Sequence, residues 1–259
     1  MVTYLDKILA VHRDQARTDR RNLDQLVEEA RRAEPARGFR RALSTTDGLA
    51  VISEIKRRSP SRGDLNPGVD PGPWAAAYVE GGATCLSVLT DPEFFGGSPD
   101  DLAAARAAVP IPALRKDFTV SPLDVCDARL MGADAVLLIV AALDDLELAD
   151  FHDLAIELGL DVLVETHDEA EVDRALSVGA TLIGVNQRDL VTFEVDQQRA
   201  VRLAGVLPDD VVRVAESGVR GPGDARVLYE AGYHAVLVGE ALMTSGDPTG
   251  AVAGLRAIR

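Results

Sequence analysis

Apolar and polar positions recur along this chain in one repeated order. A polar segment with helical spacing closes on glycine, and a short apolar, β-branched run follows. The order appears as Gly82-Ala83-Thr84 before Cys85-Leu86-Ser87-Val88-Leu89, and again as Gly132-Ala133-Asp134 before Ala135-Val136-Leu137-Leu138-Ile139. It returns as Gly179-Ala180-Thr181 before Leu182-Ile183-Gly184-Val185, and as Gly232-Tyr233-His234 before Ala235-Val236-Leu237-Val238. Gly159-Leu160-Asp161 before Val162-Leu163-Val164 is a looser copy. Glycine is the expected left-handed helix stop. Uninterrupted apolar runs are the pattern of strands buried on both faces. Residues 50–55, 111–114 and 211–215 fit as three more strands and complete a set of eight.

Seven helical segments lie between these strands and another follows the last, with Ser121-Pro122 as one start signal and residues 144–158 as a long amphipathic stretch. Strand starts spaced by roughly 20–35 residues suit consecutive βα units. Eight such units predict an α/β fold, a (β/α)8 TIM barrel. An open doubly wound sheet would usually show a glycine-rich fingerprint after the first strand, and Glu54-Ile55-Lys56-Arg57 is not one. Residues 1–47 carry two helical stripes, one of Tyr4, Leu5, Ile8, Leu9 and Val11, the other of Leu23, Leu26 and Val27. They read as an N-terminal helical extension lying on the barrel, so residues 1–259 form one domain.

Charge narrows the function classes. The 259 residues include 42 acidic against 27 basic side chains, a net charge of −15. A nucleic-acid binder needs a basic face, so that class is excluded. An anionic ligand is not, because a few cations can dominate a pocket. The longest apolar run, residues 135–143, is too short to span a bilayer, and residues 1–15 have no signal-peptide core. Cys85 and Cys126 suggest buried thiols rather than a disulfide framework. The four scattered histidines and these lone cysteines give no metal-ligand spacing. The expectation is a cytoplasmic protein with no membrane or nucleic-acid partner, and a monomer.

In a (β/α)8 barrel the chemistry sits at the C-terminal ends of the strands. These ends carry Glu54 and Lys56, Lys116, Glu165, Asn186 and Arg188, and Glu216; the fourth strand alone closes in apolar Ile139-Val140. Strand alternation turns Glu54 and Lys56 to one side, and Asn186 and Arg188 likewise. Opposite charges at such a rim hold each other ionised, and partial burial is expected to move a lysine toward a useful proton-donor range. Ser217-Gly218 and Gly239-Glu240 follow the last two strands, where such barrels commonly bind phosphate. Arg188 can add a charge-assisted hydrogen bond. The run Arg57-Arg58-Ser59-Pro60-Ser61-Arg62-Gly63 reads as a basic mobile lid. Phe94 and Phe95 suit either an aromatic pocket wall or the core.

Five of these segments together resemble the indole-3-glycerol phosphate synthase family. They are Glu54-Ile55-Lys56-Arg57-Arg58-Ser59-Pro60-Ser61, Leu86-Ser87-Val88-Leu89-Thr90-Asp91, Leu114-Arg115-Lys116-Asp117-Phe118, Gly184-Val185-Asn186-Gln187-Arg188-Asp189-Leu190 and Ala215-Glu216-Ser217-Gly218. The resemblance implies ring closure, decarboxylation and dehydration of 1-(2-carboxyphenylamino)-1-deoxyribulose 5-phosphate, a phosphorylated small molecule, without a cofactor. It implies Lys116 as general acid, Glu165 as second acid–base residue, and Lys56 as a carbonyl-polarising cation oriented by Glu54. Asn186 and Glu216 become contacts to the anthranilate ring and sugar hydroxyls, with Phe118 also among the substrate-binding residues. Ser59, Arg188, Ser217, Gly218, Gly239 and Glu240 fall where the family binds phosphate or closes its loop, Glu240 through its backbone N–H. Gln187 stands where the family most often has a second asparagine. A phosphoribosyl isomerase on the same barrel would want a cysteine and an aspartate near Lys56 and Arg188 instead. A non-catalytic barrel would have little use for Lys56, Lys116 and Glu165 together.

Overall fold

The computed structural model describes residues 3–259. Its parallel strands are β1 (Ala50–Ile55), β2 (Cys85–Leu89), β3 (Ala113–Lys116), β4 (Ala135–Ile139), β5 (Asp161–Thr166), β6 (Leu182–Asn186), β7 (Val212–Glu216) and β8 (Ala235–Val238). Each pairs with the next, and β8 pairs with β1, so the sheet closes and leaves no edge. The strands are buried on both faces, as their apolar runs require. All five predicted stop glycines, Gly82, Gly132, Gly159, Gly179 and Gly232, adopt positive φ.

The helices begin with α1 (Tyr4–Thr18), α2 (Leu23–Arg31) and α3 (Phe39–Ser44), ahead of the barrel. Around it run α4 (Pro71–Glu80), α5 (Pro99–Ala108), α6 (Pro122–Leu130), α7 (Asp145–Glu157), α8 (Glu169–Ser177), α9 (Arg199–Leu203), α10 (Pro222–Glu230), α11 (Glu240–Met243) and α12 (Pro248–Arg256). Five of these start on proline, whose missing N–H has no intrahelical partner at that position anyway. Ser121 caps α6 through a reciprocal pair with Asp124. Among the described residues no helix is long and apolar enough to cross a membrane.

Two expectations shift. The third strand begins at Ala113 rather than at residue 111, because Pro110 and Pro112 have no N–H to give the ladder; Pro112 only accepts, from the Leu86 N–H at 2.8 Å. At its other end the strand extends through Lys116, which pairs with Leu89. The basic segment after β1 is a short antiparallel hairpin, Arg58–Ser59 against Gly63–Asp64. Two of its arginines are anchors: Arg57 forks onto Asp101, and Arg58 donates to the Pro92 and Glu93 carbonyls.

The N-terminal helices run from one end of the barrel to the other. At the floor, the α3 N–H of Arg40 donates to Asp161 at the start of β5, and Phe39 is fully buried. Buried Asp134 accepts from Arg37 N–H, Ala113 N–H and the Arg106 guanidinium, tying the segment before α3 to the foot of β3. At the mouth, Tyr4 lies edge-on between Phe94 and Phe193, at 5.9 and 5.3 Å between centroids. His12 Nε2 lies 3.0 Å from Asp91 and 3.9 Å from Asp117, beyond β2 and β3. α2 packs against α6 between these ends.

The His12–Asp91 contact is a titratable tether. Burial favours neutral imidazole, but Asp91, Asp117 and Asp124 outweigh it and raise the His12 pKa. Burial likewise disfavours the Asp91 anion, and its bonds from His12 and the Phe94 and Phe95 N–H groups outweigh that and lower its pKa. The histidine contribution is therefore full below about pH 6.5, the unperturbed value, and fades as pH rises through the higher folded value. The aspartate contribution is full above about pH 3.9 and fades as pH falls through the lower folded value. Replacement His12→Ala is expected to cost about 1–2 kcal/mol and to speed amide exchange in α1 most between those limits. Equal α1 exchange in parent and variant at pH 6 would refute the tether.

Candidate active site

Strand register sets the level of each functional group. Lys116 lies opposite Leu89, Glu165 opposite Ile139, and Asn186 opposite Glu216. Three side chains from β3, β5 and β7 then meet inside the mouth. Lys116 Nζ is 2.8 Å from Glu165 Oε2 and 3.1 Å from Glu216 Oε2. Asn186 Nδ2 donates to Glu165 Oε1 at 2.9 Å. Lys56, just beyond β1, holds Glu54 Oε1 at 2.5 Å.

Two glycines make room for this cluster. A Cβ on Gly184 would fall 2.1 Å from Glu216 Oε1, and one on Gly239 would fall 2.2 Å from Glu54 Oε1. Gly239 also stands 3.2 Å, in the same sense, from Lys56 Nζ, so the last strand's loop is bare backbone against the first ion pair.

The electrostatics correct one expectation. Burial favours neutral Lys116, but Glu165, Glu216 and Glu54 outweigh it and raise its pKa, so this lysine is a firmly charged ammonium rather than a weakened one. Burial also disfavours the Glu165 anion; Lys116, His167 and the Asn186 amide prevail and lower its pKa. Glu216 goes the other way. Burial and the Glu165 charge raise its pKa against Lys116, and its buried Oε1 has no hydrogen-bond partner. Of the two carboxyls on Lys116, Glu165 is the anion and Glu216 the one that takes up a proton.

All thirteen residues singled out in the sequence, namely Glu54, Lys56, Ser59, Lys116, Phe118, Glu165, Asn186, Arg188, Glu216, Ser217, Gly218, Gly239 and Glu240, line one cavity of about 800 Å³. At its other end, Ser217 and Gly218 both adopt positive φ, 64° and 76°. Their carbonyls accept from the Gln187 and Gln197 side-chain amides at 2.8 Å each, which braces the turn. Glu240 opens α11, so its N–H lies in a first helical turn. Its carboxylate is 3.0 Å from Arg62 Nε and 3.8 Å from Arg188.

Sequence reasoning missed other parts of the wall. Tyr4, Leu5 and Ile8 of α1 face the cavity, and so do Leu137 and Ile139 of the apolar fourth strand. Phe95 lines it beside Phe118, at 6.3 Å between centroids, whereas Phe94 packs on Tyr4. His167 escaped notice, although it stands two residues after Glu165, the spacing that drew attention to Glu54 and Lys56. Among the described residues, the cluster at metal-ligand spacing is His12, Asp91 and Asp117, with ligand atoms within 4.8 Å of one another. Its carboxylates already accept from Phe94, Phe95 and Phe118 N–H, Thr90 and Arg115. It is a structural clasp.

Fold and cavity together define a (β/α)8 enzyme with a paired lysine–glutamate centre and a glycine-bearing turn at the mouth of one barrel. Within that class, the chain belongs to the indole-3-glycerol phosphate synthase family, whose family model matches residues 5–255. It is 51% identical over 255 residues to the indole-3-glycerol phosphate synthase of Mycolicibacterium vanbaalenii, covering 98% of this chain and 93% of that one. To the Chlorobium luteolum enzyme of the same name it is 49% identical over 252 residues, 96% of each chain. Among solved structures, a thiamine phosphate pyrophosphorylase from Pyrococcus furiosus superimposes with a TM-score of 0.60 at 18% identity, over 81% of this chain and 93% of that one. That likeness concerns the fold alone.

The space over Gly184 yields a test. Gly184→Ala is expected to fold, since the atom struck is the end of a flexible side chain, but to displace the Glu216 carboxylate. Turnover should fall by roughly 100-fold, the scale of an ångström-sized misplacement, with a melting temperature within a few degrees of the parent. Unchanged steady-state kinetics would show that Glu216 does not need this position.

Proposed function

We infer that this chain carries out the reaction of its family. It is a carboxy-lyase that converts 1-(2-carboxyphenylamino)-1-deoxyribulose 5-phosphate to indole-3-glycerol phosphate, carbon dioxide and water, in tryptophan biosynthesis. The observation that carries the residue-level reading is the position of Lys116 Nζ, within hydrogen-bond reach of Glu165 and Glu216 in the cavity that Lys56 also enters.

Ring closure joins an aromatic carbon to the sugar carbonyl and leaves negative charge on oxygen. Lys116 is the donor to that oxygen, and its fixed charge in a water-poor site makes it an effective stabiliser. Lys56 polarises the same carbonyl and is oriented by Glu54. Loss of carbon dioxide restores the ring electrons, after which a hydroxyl must leave and a proton must be removed. Glu165 serves that dehydration as acid–base residue, and its ionised state suits the base role. Asn186 holds Glu165 and, with Glu216, contacts the ring and sugar hydroxyls, while Phe118 packs on the aromatic portion.

The phosphate lies at the opposite end, against the Ser217-Gly218 turn, Gly239 and the Glu240 N–H, with Arg188 as its charge partner and Ser59 closing over it. The Glu240 carboxylate, 3.0 Å from Arg62 and 3.8 Å from Arg188, keeps both guanidinium groups beside this turn. The chain works as one domain, with residues 1–47 as an extension of the barrel, and as a cytoplasmic monomer without a cofactor.

Three measurements test this reading. Purified protein mixed with the anilino-ribulose phosphate should develop indole fluorescence; its absence would refute the activity. Lys116→Ala should lower kcat by at least about 100-fold, the scale for a positioned acid, while circular dichroism stays native. Arg188→Ala should act mainly on KM; a pure kcat defect would move the phosphate elsewhere.

A further inference from the structure

His167 follows the last residue of β5 with its side chain mostly covered, outside the residues that line the cavity. Its Nδ1 is 2.9 Å from Glu171 Oε2, and the same oxygen accepts the His167 main-chain N–H at 2.8 Å. Its Nε2 is buried, has no hydrogen-bond partner, and lies 3.6 Å from Glu165 Oε1. A carboxylate at Nδ1 requires the proton there. Nε2 then has two alternatives. Bare, it would set a lone pair against a carboxylate oxygen in a dry site, which is costly for both groups. Protonated, it points a positive N–H at an anion. The second arrangement satisfies every group present, although 3.6 Å is too long for a direct hydrogen bond, so the pair acts through charge.

We propose that His167 is a positioning residue of the reaction: fixed by Glu171, its imidazolium holds Glu165 ionised and aimed between Lys116 and Asn186. The inference rests on the acid–base role given to Glu165 above. The groups facing the ring are Glu165 from β5, Glu171 from α8, and Arg199 from α9, which opposes its charge. Those facing Glu165 are Lys116 from β3, Asn186 from β6 and Glu216 from β7. Burial favours the neutral ring, and the two glutamates outweigh both burial and Arg199, so the His167 pKa lies above its ordinary value.

Two limbs of the pH profile follow, with opposite signs. The charged ring lowers the Glu165 pKa, so removing it moves the acid limb of kcat/KM upward, by about one pH unit if the ring contributes that much to Glu165. The ring itself loses its Nε2 proton as pH rises through its raised pKa, so the parent has an alkaline limb that depends on His167.

The test compares His167→Gln, Glu171→Gln and Glu165→Gln in the full chain with the anilino-ribulose phosphate. His167→Gln should keep KM within about twofold, lower kcat, raise the acid limb and abolish the His167-dependent alkaline limb. His167→Ala should be worse than His167→Gln, whose amide still donates. Glu171→Gln keeps the ring but weakens its charge, and should move the alkaline limb down. Histidine 15N NMR of the unmodified protein should show His167 protonated on both nitrogens at pH 7, a readout that needs no variant to fold. A neutral ring at pH 7, or an unaltered pH profile in folded His167→Gln, overturns the proposal. Full activity of Glu165→Gln would instead overturn the role of Glu165 itself. An inactive Glu165→Gln beside parental His167 and Glu171 variants would leave that role standing and remove only this inference.

Discussion

A lysine ammonium kept charged inside a barrel is the constraint around which this molecule is organised. Moving an ion out of water costs several kcal/mol even after relaxation. Lys116 offsets that cost with two carboxyl groups, Glu165 at 2.8 Å and Glu216 at 3.1 Å. Two buried anions cannot both stay ionised on one cation without further support, and the site divides the burden unequally. Glu165 has the Asn186 amide and the nearby His167, whereas Glu216 has Lys116 and an unpartnered oxygen. An apolar core of the same volume would be at least as stable. Such a cluster is therefore a device for chemistry, and the rest of the fold makes it tolerable.

The support comes from backbone geometry as much as from side chains. Gly184 and Gly239 leave the volumes that Glu216 and Glu54 occupy. β3 runs through Lys116, whose register opposite Leu89 sets the level of its ammonium. The N-terminal helices close the floor with Phe39 and roof the mouth with Tyr4, Leu5 and Ile8. Burial of the carboxylates lowers the effective dielectric around them, which strengthens the charge interactions they make. The same low dielectric explains why Arg57, Arg106 and Asp134, all beneath or beside the site, are paired rather than free.

How far the sequence could be read depended on whether a residue's role was local. The glycine stops, the proline starts and the apolar runs are local rules, and they located the strands to within two residues. Alternation placed Glu54 with Lys56, and the barrel's polarity placed the strand ends together, which was enough to assemble the charged cluster. The basic segment at residues 57–63 was legible as a cover over the site, four of its residues lining the cavity, but composition does not say where an arginine points. Arg57 and Arg58 meet Asp101 and two carbonyls from the loop after β2, and nothing near them in sequence announces those partners. The expected softening of Lys116 failed for a related reason: burial was foreseeable, but the number of carboxylates reaching it from other strands was not.

The sequence by itself determined the barrel, the strand ends that carry chemistry and the family to which those motifs belong, because each is written in spacing and residue type along a few consecutive positions. Tertiary structure alone decided the protonation pattern of the mouth, the wall supplied by α1, and the placement of His12 and His167. Most of those depend on distances between groups far apart in the chain, such as Lys116 with Glu165 and with Glu216, 49 and 100 residues away, and even His167, two residues from Glu165, takes its role from where the fold aims its ring. Charge interactions and desolvation vary with ångströms in space, and sequence separation carries no record of them.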